Sequence, residues 1–266
     1  MRVNFKAFIF DLDGTIYLSE RLIPGADDAV RALRGQGRRV VFLSNKPTDT
    51  RETYAAKLTR LGIPSAPEDV INSSLIAARY LGRRMPGARL HVLGEAPLVE
   101  ELRRAGFEMA RRPEETDAVI IAFDRTLTYE KIHFAHRAVR RGGAVMIATN
   151  PDAFCPVEGD EFPDAGGTIA LLEATTGKKV EVVVGKPSPI MVEAILEHVG
   201  VPARACLVVG DRIETDIRMG RDAGMGTALV LTGATTREQA RASDIRPDFT
   251  LESVRDIAEK IVDGEW

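Results

Sequence analysis

The run Phe8-Ile9-Phe10-Asp11-Leu12-Asp13-Gly14-Thr15 constrains this chain more than any other stretch. Lys6 to Phe10 shows no polar-out alternation, which predicts a strand covered on both faces, as in a parallel sheet. That strand ends in two carboxylates one residue apart. Open α/β sheets place their ligands at the carboxyl ends of strands. Two anionic groups so close repel each other unless a cation joins them, and hard oxygen ligands suit Mg²⁺. For this octapeptide alone, an Asx-type turn closing a strand is the alternative.

The same pattern recurs along the chain. Pro24-Gly25 leads into a helix over 26–35 with Ala29, Val30 and Leu33 on one face. A strand over 38–43 ends at Ser44-Asn45-Lys46, and Pro47 stops it. Asp49, with Glu52 three residues on, predicts a capped helix to Leu61, and a further helix covers 73–81. Gly82 to Gly87 reads as a linker, after which βα alternation restarts. Strands are predicted over 90–93, 118–123 and 144–148, with helices over 97–105 and 128–141. From Thr149 a loop rich in Asp, Glu, Pro and Gly runs to Gly167, and a helix follows to Thr176. A strand over 181–186 ends in Lys186, and a helix starts at the prolines 187 and 189. The strand over 206–209 ends at Gly210-Asp211, and the helical segment over 213–220 puts Asp216 in its first turn. A strand over 227–231 and a helix over 251–262 close the chain. The fold class expected is α/β, a doubly wound, Rossmann-like parallel-sheet core with an inserted α/β cap. The core is expected over 1–82 and 180–266 and the insertion over 83–179; one larger sheet would give the same pattern.

Composition narrows the function classes. A length of 266 residues allows one large core or two modest ones. Hydrophobic residues at 44% and charged residues at 28% are ordinary for a globular protein. A net charge of −3 leaves no basic footprint for nucleic acid. No apolar run approaches the roughly 20 residues of a membrane span. The first strand begins within a few residues of Met1, which leaves no room for a signal peptide. Cys155 and Cys206 lie far apart and outside any metal-ligand spacing, so a reducing cytoplasm is expected.

Four predicted strand ends carry polar groups suited to a phosphate and a metal: Asp11/Asp13, Ser44/Asn45, Lys186, and Asp211 with Asp216. In one parallel sheet they would meet at one edge. Asp11 and Asp211 can both give carboxylate oxygens to Mg²⁺. Ser44 and nearby backbone N–H groups can donate to phosphate oxygens, and Lys186 brings a positive point charge. Asp216 can orient Lys186 or a metal-bound water from behind the ligands. Four aspartates and a phosphate dianion carry about −6 against about +3 from metal and lysine, so activity should depend strongly on the metal.

Asp11-Leu12-Asp13-Gly14-Thr15, Ser44-Asn45, Gly185-Lys186-Pro187 and Gly210-Asp211-Arg212-Ile213-Glu214-Thr215-Asp216 resemble, in order, the four motifs of the haloacid dehalogenase superfamily. The insertion between the second and third motifs resembles the large α/β cap of its NagD-like branch, which includes p-nitrophenyl phosphatases. Val184 to Pro189, Leu127 to Glu130 and Ala148 to Asp152 look typical of that branch, and the likeness is nearest to sugar phosphatases of the AraL type. The resemblance implies a Mg²⁺-dependent phosphatase for small phosphomonoesters such as sugar phosphates and p-nitrophenyl phosphate. In it Asp11 attacks phosphorus and becomes an aspartyl phosphate, while Asp13 protonates the leaving alkoxide and then activates water. Mg²⁺ is held by the Asp11 side chain, the Asp13 backbone carbonyl and Asp211, and Gly14, Ser44, Asn45 and Lys186 hold the phosphate. A homodimer through the cap is implied as well. Arg212 stands where related sequences often carry a small or amide side chain.

Other readings compete. His133 and His136, three apart on a helix, lack a third metal ligand. Asn150 and Asp152 either reach a substrate or close an ordinary strand-end turn. A phosphotransferase or phosphomutase on the same fold and a non-catalytic phosphometabolite-binding protein are the alternatives to the phosphatase. The partner expected is a small phosphorylated metabolite, with neither nucleic acid nor membrane.

Overall fold

The computed structural model describes residues 4–157 and 160–262. In chain order its strands are β1 (Ala7–Asp11), β2 (Tyr17–Leu18), β3 (Arg21–Leu22), β4 (Arg39–Ser44), β5 (Val70–Asn72), β6 (Arg89–Leu93), β7 (Glu108–Met109), β8 (Ala118–Ile121), β9 (Val145–Ala148), β10 (Phe154–Val157), β11 (Asp160–Pro163), β12 (Val182–Val183), β13 (Cys206–Gly210), β14 (Gly226–Val230) and β15 (Phe249–Leu251). The α-helices between and after them are α1 (Ala26–Gly35), α2 (Arg51–Arg60), α3 (Ser73–Arg84), α4 (Ala96–Arg104), α5 (Tyr129–Arg140), α6 (Ala165–Thr176), α7 (Pro189–Val199), α8 (Arg218–Asp222), α9 (Arg237–Ala242) and α10 (Arg255–Val262). The chain forms two units. One comprises 1–44, 51–71 and 192–266, and the other 45–50 and 72–191, which takes in all of 83–179.

The first unit is built on a six-stranded sheet in the order β15-β14-β13-β1-β4-β5. β1 pairs in parallel with β13 on one side and β4 on the other, and β13, β14 and β15 continue in parallel. The chain therefore winds outward from β1 in one direction and returns to build the other half from β13. The boundary between β1 and β13 is the switch point at which doubly wound sheets bind ligands. Phe8 and Phe10 pack on one face of β1 with Phe42, Leu33, Leu58 and Ile257, while Ile9 is buried from the other face. That is why the run lacks polar alternation. α1 turns Ala26, Ala29, Val30 and Leu33 inward.

The second unit carries a five-stranded sheet in the order β12-β9-β8-β6-β7, with all its pairings parallel. Leu93, Val119, Ile121, Met146 and Ala148 pack against Ala135, Val139 and Leu172 of α5 and α6. The chain is thus an α/β protein with two parallel sheets, as expected.

Three local expectations are corrected. The loop expected over 149–167 contains an antiparallel hairpin, β10 with β11, from Phe154 opposite Pro163 to Val157 opposite Asp160. α6 begins at Ala165, ahead of Gly167, because Asp164 caps it by accepting from the Ala165 N–H at 2.5 Å. Two glycines in the first turn conceal that start in the sequence. Finally, β12 pairs with Ile147 and Ala148 of β9. The segment leading to Lys186 therefore belongs to the second sheet, whereas Asp11, Ser44 and Asp211 stand at strand ends of the first. An apolar run announces a buried strand but not the sheet that takes it.

Asp164 is buried at 6% exposure, and burial pushes its carboxyl above the usual aspartate range despite bonds from Asn150 and the Ala165 N–H. Asp164→Ala should destabilise the protein by about 1–2 kcal/mol in urea unfolding, the typical cost of a lost N-cap. Asp164→Asn keeps an acceptor oxygen. An acid whose folded-state pKa is raised contributes stability at low pH that is lost as pH rises through the interval between its unfolded and folded values. Wild type should therefore lose stability relative to Asp164→Asn as pH rises from about 3.8 through that interval, a difference that urea midpoints across pH will measure.

Candidate active site

The acidic cluster lies in the first unit, at the switch point. Asp11 is the last residue of β1, Asp211 follows β13, and Asp216 sits in the single π-helical turn Ile213–Ile217. π-turns are rare and concentrate at functional sites. All three side chains are buried, at 9%, 5% and 1% exposure. One carboxylate oxygen from each lies within 4.8 Å of the others, the one such group of three among the described residues. Three carboxylates at this distance, out of water, need a cation or protons to coexist. An all-oxygen donor set favours a hard cation such as Mg²⁺, so the residues present fit the metal expected here.

The backbone makes room for this crowding. A Cβ on Gly233 would lie 1.9 Å from the Asp211 Oδ2, and one on Gly14, at φ +84°, 2.5 Å from the same oxygen. A Cβ on Gly210 would lie 2.3 Å from the Asp216 carboxyl carbon. Glycine at these positions lets main chain pack against the carboxylates. The loop after β14, Leu231 to Thr235, then ties the strand ends together. The Ala234 N–H donates to the Asp211 Oδ2 at 2.6 Å, and the Thr235 N–H to the Asp211 carbonyl at 3.1 Å. The Thr232 hydroxyl donates to the Gly14 carbonyl at 2.5 Å, and the Ile213 N–H to the Thr235 hydroxyl at 3.3 Å. The Arg212 N–H donates to the Asp216 Oδ2 at 3.2 Å. Sequence reasoning missed this loop. Its signal was Thr232-Gly233-Ala234-Thr235 directly after a buried strand.

Asp13 and Gly14 follow β1 in a turn closed by the Gly14 N–H donating to the Tyr17 carbonyl at 2.8 Å. Asp13 is half-buried. The Thr15 hydroxyl is fully buried and finds no hydrogen-bond partner among the described residues. Ser44 closes β4, 3% exposed, with its hydroxyl 3.4 Å from the Tyr54 hydroxyl.

Lys186 and Asn45 meet in the second unit. The Asn45 side chain grips Lys186 through both backbone groups: its Oδ1 accepts from the Lys186 N–H at 2.8 Å and its Nδ2 donates to the Lys186 carbonyl at 3.1 Å. The Lys186–Pro187 bond is cis, and Lys186 itself is buried at 3% exposure. A Cβ on Gly185 would lie 2.2 Å from the Thr149 carbonyl oxygen, so the strand end at Thr149 presses directly on this turn. Asn150 and Asp152, on which the sequence was undecided, join the same cluster: the Asn45 Nδ2 also donates to the Asp152 Oδ2 at 3.1 Å.

His91, His133 and His136 are accounted for by ordinary contacts. The His91 ring stacks on Phe134 at 4.1 Å with its Nε2 3.0 Å from the Lys131 carbonyl, and burial lowers its pKa. His136 reaches the Thr175 carbonyl, while His133 lies beside Tyr129. The second unit also contains a cavity of about 410 Å³ lined by Phe123, Leu127, Phe162, Asp164 and Leu171 among others. Charged groups at its wall are paired, Arg125 with Glu95 and Asp124 with Lys131. No described helix is long and apolar enough to cross a membrane.

Known proteins share this architecture. A family model described as haloacid dehalogenase-like hydrolase matches residues 8–108, and a second model of haloacid dehalogenase-like hydrolases matches 183–257. The sugar-phosphatase AraL of Bacillus subtilis is 40% identical over 262 residues, covering 98% of this chain and 95% of that protein. A 4-nitrophenylphosphatase from Thermotoga maritima superposes with a TM-score of 0.91 at 36% identity, covering 96% of this chain and 97% of the other. NagD from Escherichia coli K-12 superposes with a TM-score of 0.86 at 31% identity, over 95% and 98% of the two chains. With relatives this similar along almost its whole length, the chain belongs to the haloacid dehalogenase-like hydrolases, in their NagD-like phosphatase branch.

Proposed function

We propose that this protein is a Mg²⁺-dependent phosphatase that hydrolyses small phosphomonoesters of the sugar-phosphate class through an aspartyl-phosphate intermediate. The observation that carries the reading is the convergence of Asp11, Asp211 and Asp216, all buried, at the switch point of the first sheet. The four motifs and the sugar-phosphatase relative support the substrate class.

In the proposed reaction an Asp11 carboxylate oxygen attacks phosphorus in line with the ester oxygen. The new Asp11–phosphorus linkage forms as the bond to the leaving alkoxide breaks, and Asp13 gives that alkoxide its proton. Asp13, now a carboxylate, takes a proton from the water that attacks the aspartyl phosphate, releasing inorganic phosphate and restoring both residues. Asp11, Asp211 and the Asp13 carbonyl would hold Mg²⁺, whose charge offsets that of the phosphoryl oxygens and the carboxylates. Asp216 would orient this set from behind. Lys186, assigned by its Gly185-Lys186-Pro187 motif, would set a positive charge against the phosphate. Ser44 and the backbone N–H of Asn45 would donate to its oxygens; the Gly14 N–H is already engaged with the Tyr17 carbonyl, and the Asn45 side-chain amide with Lys186 and Asp152. The second unit would act as the cap that excludes water and selects the leaving group.

Asp13 separates this reading from a halide-releasing relative, because an alkoxide needs an acid and a halide does not. Its presence with Asp11 also argues against a module that only binds phosphometabolites. Both cysteines are free and buried, which suits a reducing cytoplasm. The half-exposed Phe154 and Phe162 on the β10–β11 hairpin suit pairing through the second unit.

Phosphate release from p-nitrophenyl phosphate and a sugar-phosphate panel should require Mg²⁺, stop with EDTA, and fall at least about a thousandfold in Asp11→Asn. Isomerised product without net phosphate would indicate the mutase alternative. Mg²⁺ alone should raise the melting temperature of the wild type, since a ligand bound only by the folded state stabilises it. Gly233→Ala, whose Cβ would displace the Asp211 carboxylate, should reduce that shift. Light scattering should give twice the chain mass of 29.1 kDa, and a single-chain mass would contradict pairing.

A further inference from the structure

We propose that Asp152 and Asn150 are positioning residues that hold Lys186 in place through the Asn45 side chain. The inference rests on the reading of Lys186 as the positive partner of the phosphate. The groups form a continuous chain within the second unit. Both backbone groups of Lys186 are bonded to the Asn45 amide, at 2.8 and 3.1 Å. The remaining Asn45 N–H goes to the Asp152 Oδ2 at 3.1 Å, and the Asn150 Nδ2 donates to that same oxygen at 3.0 Å. Asn150 also donates to the Asp164 Oδ1 at 3.0 Å, and Asp164 caps α6. The Thr149 hydroxyl donates to the Asn150 Oδ1 at 2.9 Å.

Three features give the chain a direction. Each amide is oriented by its partners: Asn45 by the carbonyl and N–H of Lys186, Asn150 by two carboxylates on one side and a hydroxyl on the other. Both N–H groups of each amide are used, so neither can rotate without losing bonds; Asn150 is buried and Asn45 half-buried, and an unmade bond costs more the less water can replace it. The far end is anchored in a twelve-residue helix rather than a loop. A lysine ammonium is a flexible point charge on a four-carbon stem. Its usefulness against a phosphoryl group therefore depends on how firmly its backbone is held. Asn45 supplies that hold, and Asp152 fixes Asn45 from a strand end 107 residues away in sequence.

The chain also predicts which property of Asp152 matters. Both donors converge on one oxygen, so a neutral acceptor in the same place suffices. Asp152→Asn should keep kcat/KM for p-nitrophenyl phosphate within about threefold of wild type. Asp152→Ala should lower it by about 10- to 100-fold, the scale on which slight misplacement of a catalytic group acts. Asn150→Ala, which cuts the link to Asp164, should lower it less. Inorganic phosphate, titrated in Mg²⁺ against the folded variants, gives the second readout. Asp152→Ala and Lys186→Ala should each weaken phosphate binding, and the double variant should bind no more weakly than Lys186→Ala alone. An Asp152→Asn as impaired as Asp152→Ala, or additive losses in the double variant, would overturn the proposal while leaving Lys186 its role. A Lys186→Ala protein with normal kcat/KM would overturn the reading of Lys186, and the positioning role with it. If Asp152→Ala does not fold, Asn150→Ala carries the same double-variant comparison.

Discussion

The structure of the first unit depends on one electrostatic constraint, three aspartate carboxylates held out of water within 4.8 Å of each other. Such a cluster opposes folding unless something offsets its charge, and the surrounding backbone shows how far the fold goes to keep it. Gly14, Gly210 and Gly233 each stand where a single methyl group would strike a carboxylate. The Ala234 and Arg212 N–H groups are aimed at Asp211 and Asp216. These donors supply part of the compensation, and in the proposed function a divalent cation would supply the rest. The doubly wound sheet explains why the cluster forms where it does. Only at the boundary of β1 and β13 do neighbouring strands send their following loops to opposite sides, leaving a crevice into which both ends can project.

Much of this was legible in the sequence because the relevant signals are local. The unbroken apolar run before Asp11 and the matching run before Asp211 announce buried parallel strands, and both form as such. The helices around them follow from apolar spacing, as with Ala29, Val30 and Leu33 in α1. What could not be read depends on partners distant in the chain. Val182 and Val183 look like any core strand, but they pair with β9 because the neighbouring strand edge, not their own pattern, selects the sheet. The hairpin β10–β11 was hidden by Pro156 and Pro163, since a proline within a run argues against a strand. The Gly166-Gly167 pair masked the start of α6, which an aspartate cap and tertiary packing impose in spite of low propensity. In the site, the four motifs were visible, whereas the Leu231–Thr235 loop acts chiefly through backbone N–H groups, which leave little trace in residue identity.

Asn45 shows how a side chain expected at the phosphate can be occupied with something else. Its amide is used on Lys186 and Asp152, and what it can offer a phosphate is its backbone. The second unit thus does structural work at the turn that carries Lys186. The paired charges at its cavity wall leave mostly apolar surface there, Phe123, Leu127, Phe162 and Leu171.

The central claim is that Asp11 is the nucleophile, and the most direct test is to catch it in the act. Wild-type protein turning over p-nitrophenyl phosphate in Mg²⁺ should be quenched in acid, digested and weighed peptide by peptide. The account predicts one added phosphoryl group on the peptide that contains Asp11, lost when EDTA is present and absent in Asp11→Asn. Turnover with no phosphorylated Asp11 peptide, or with the group on another residue, would contradict it.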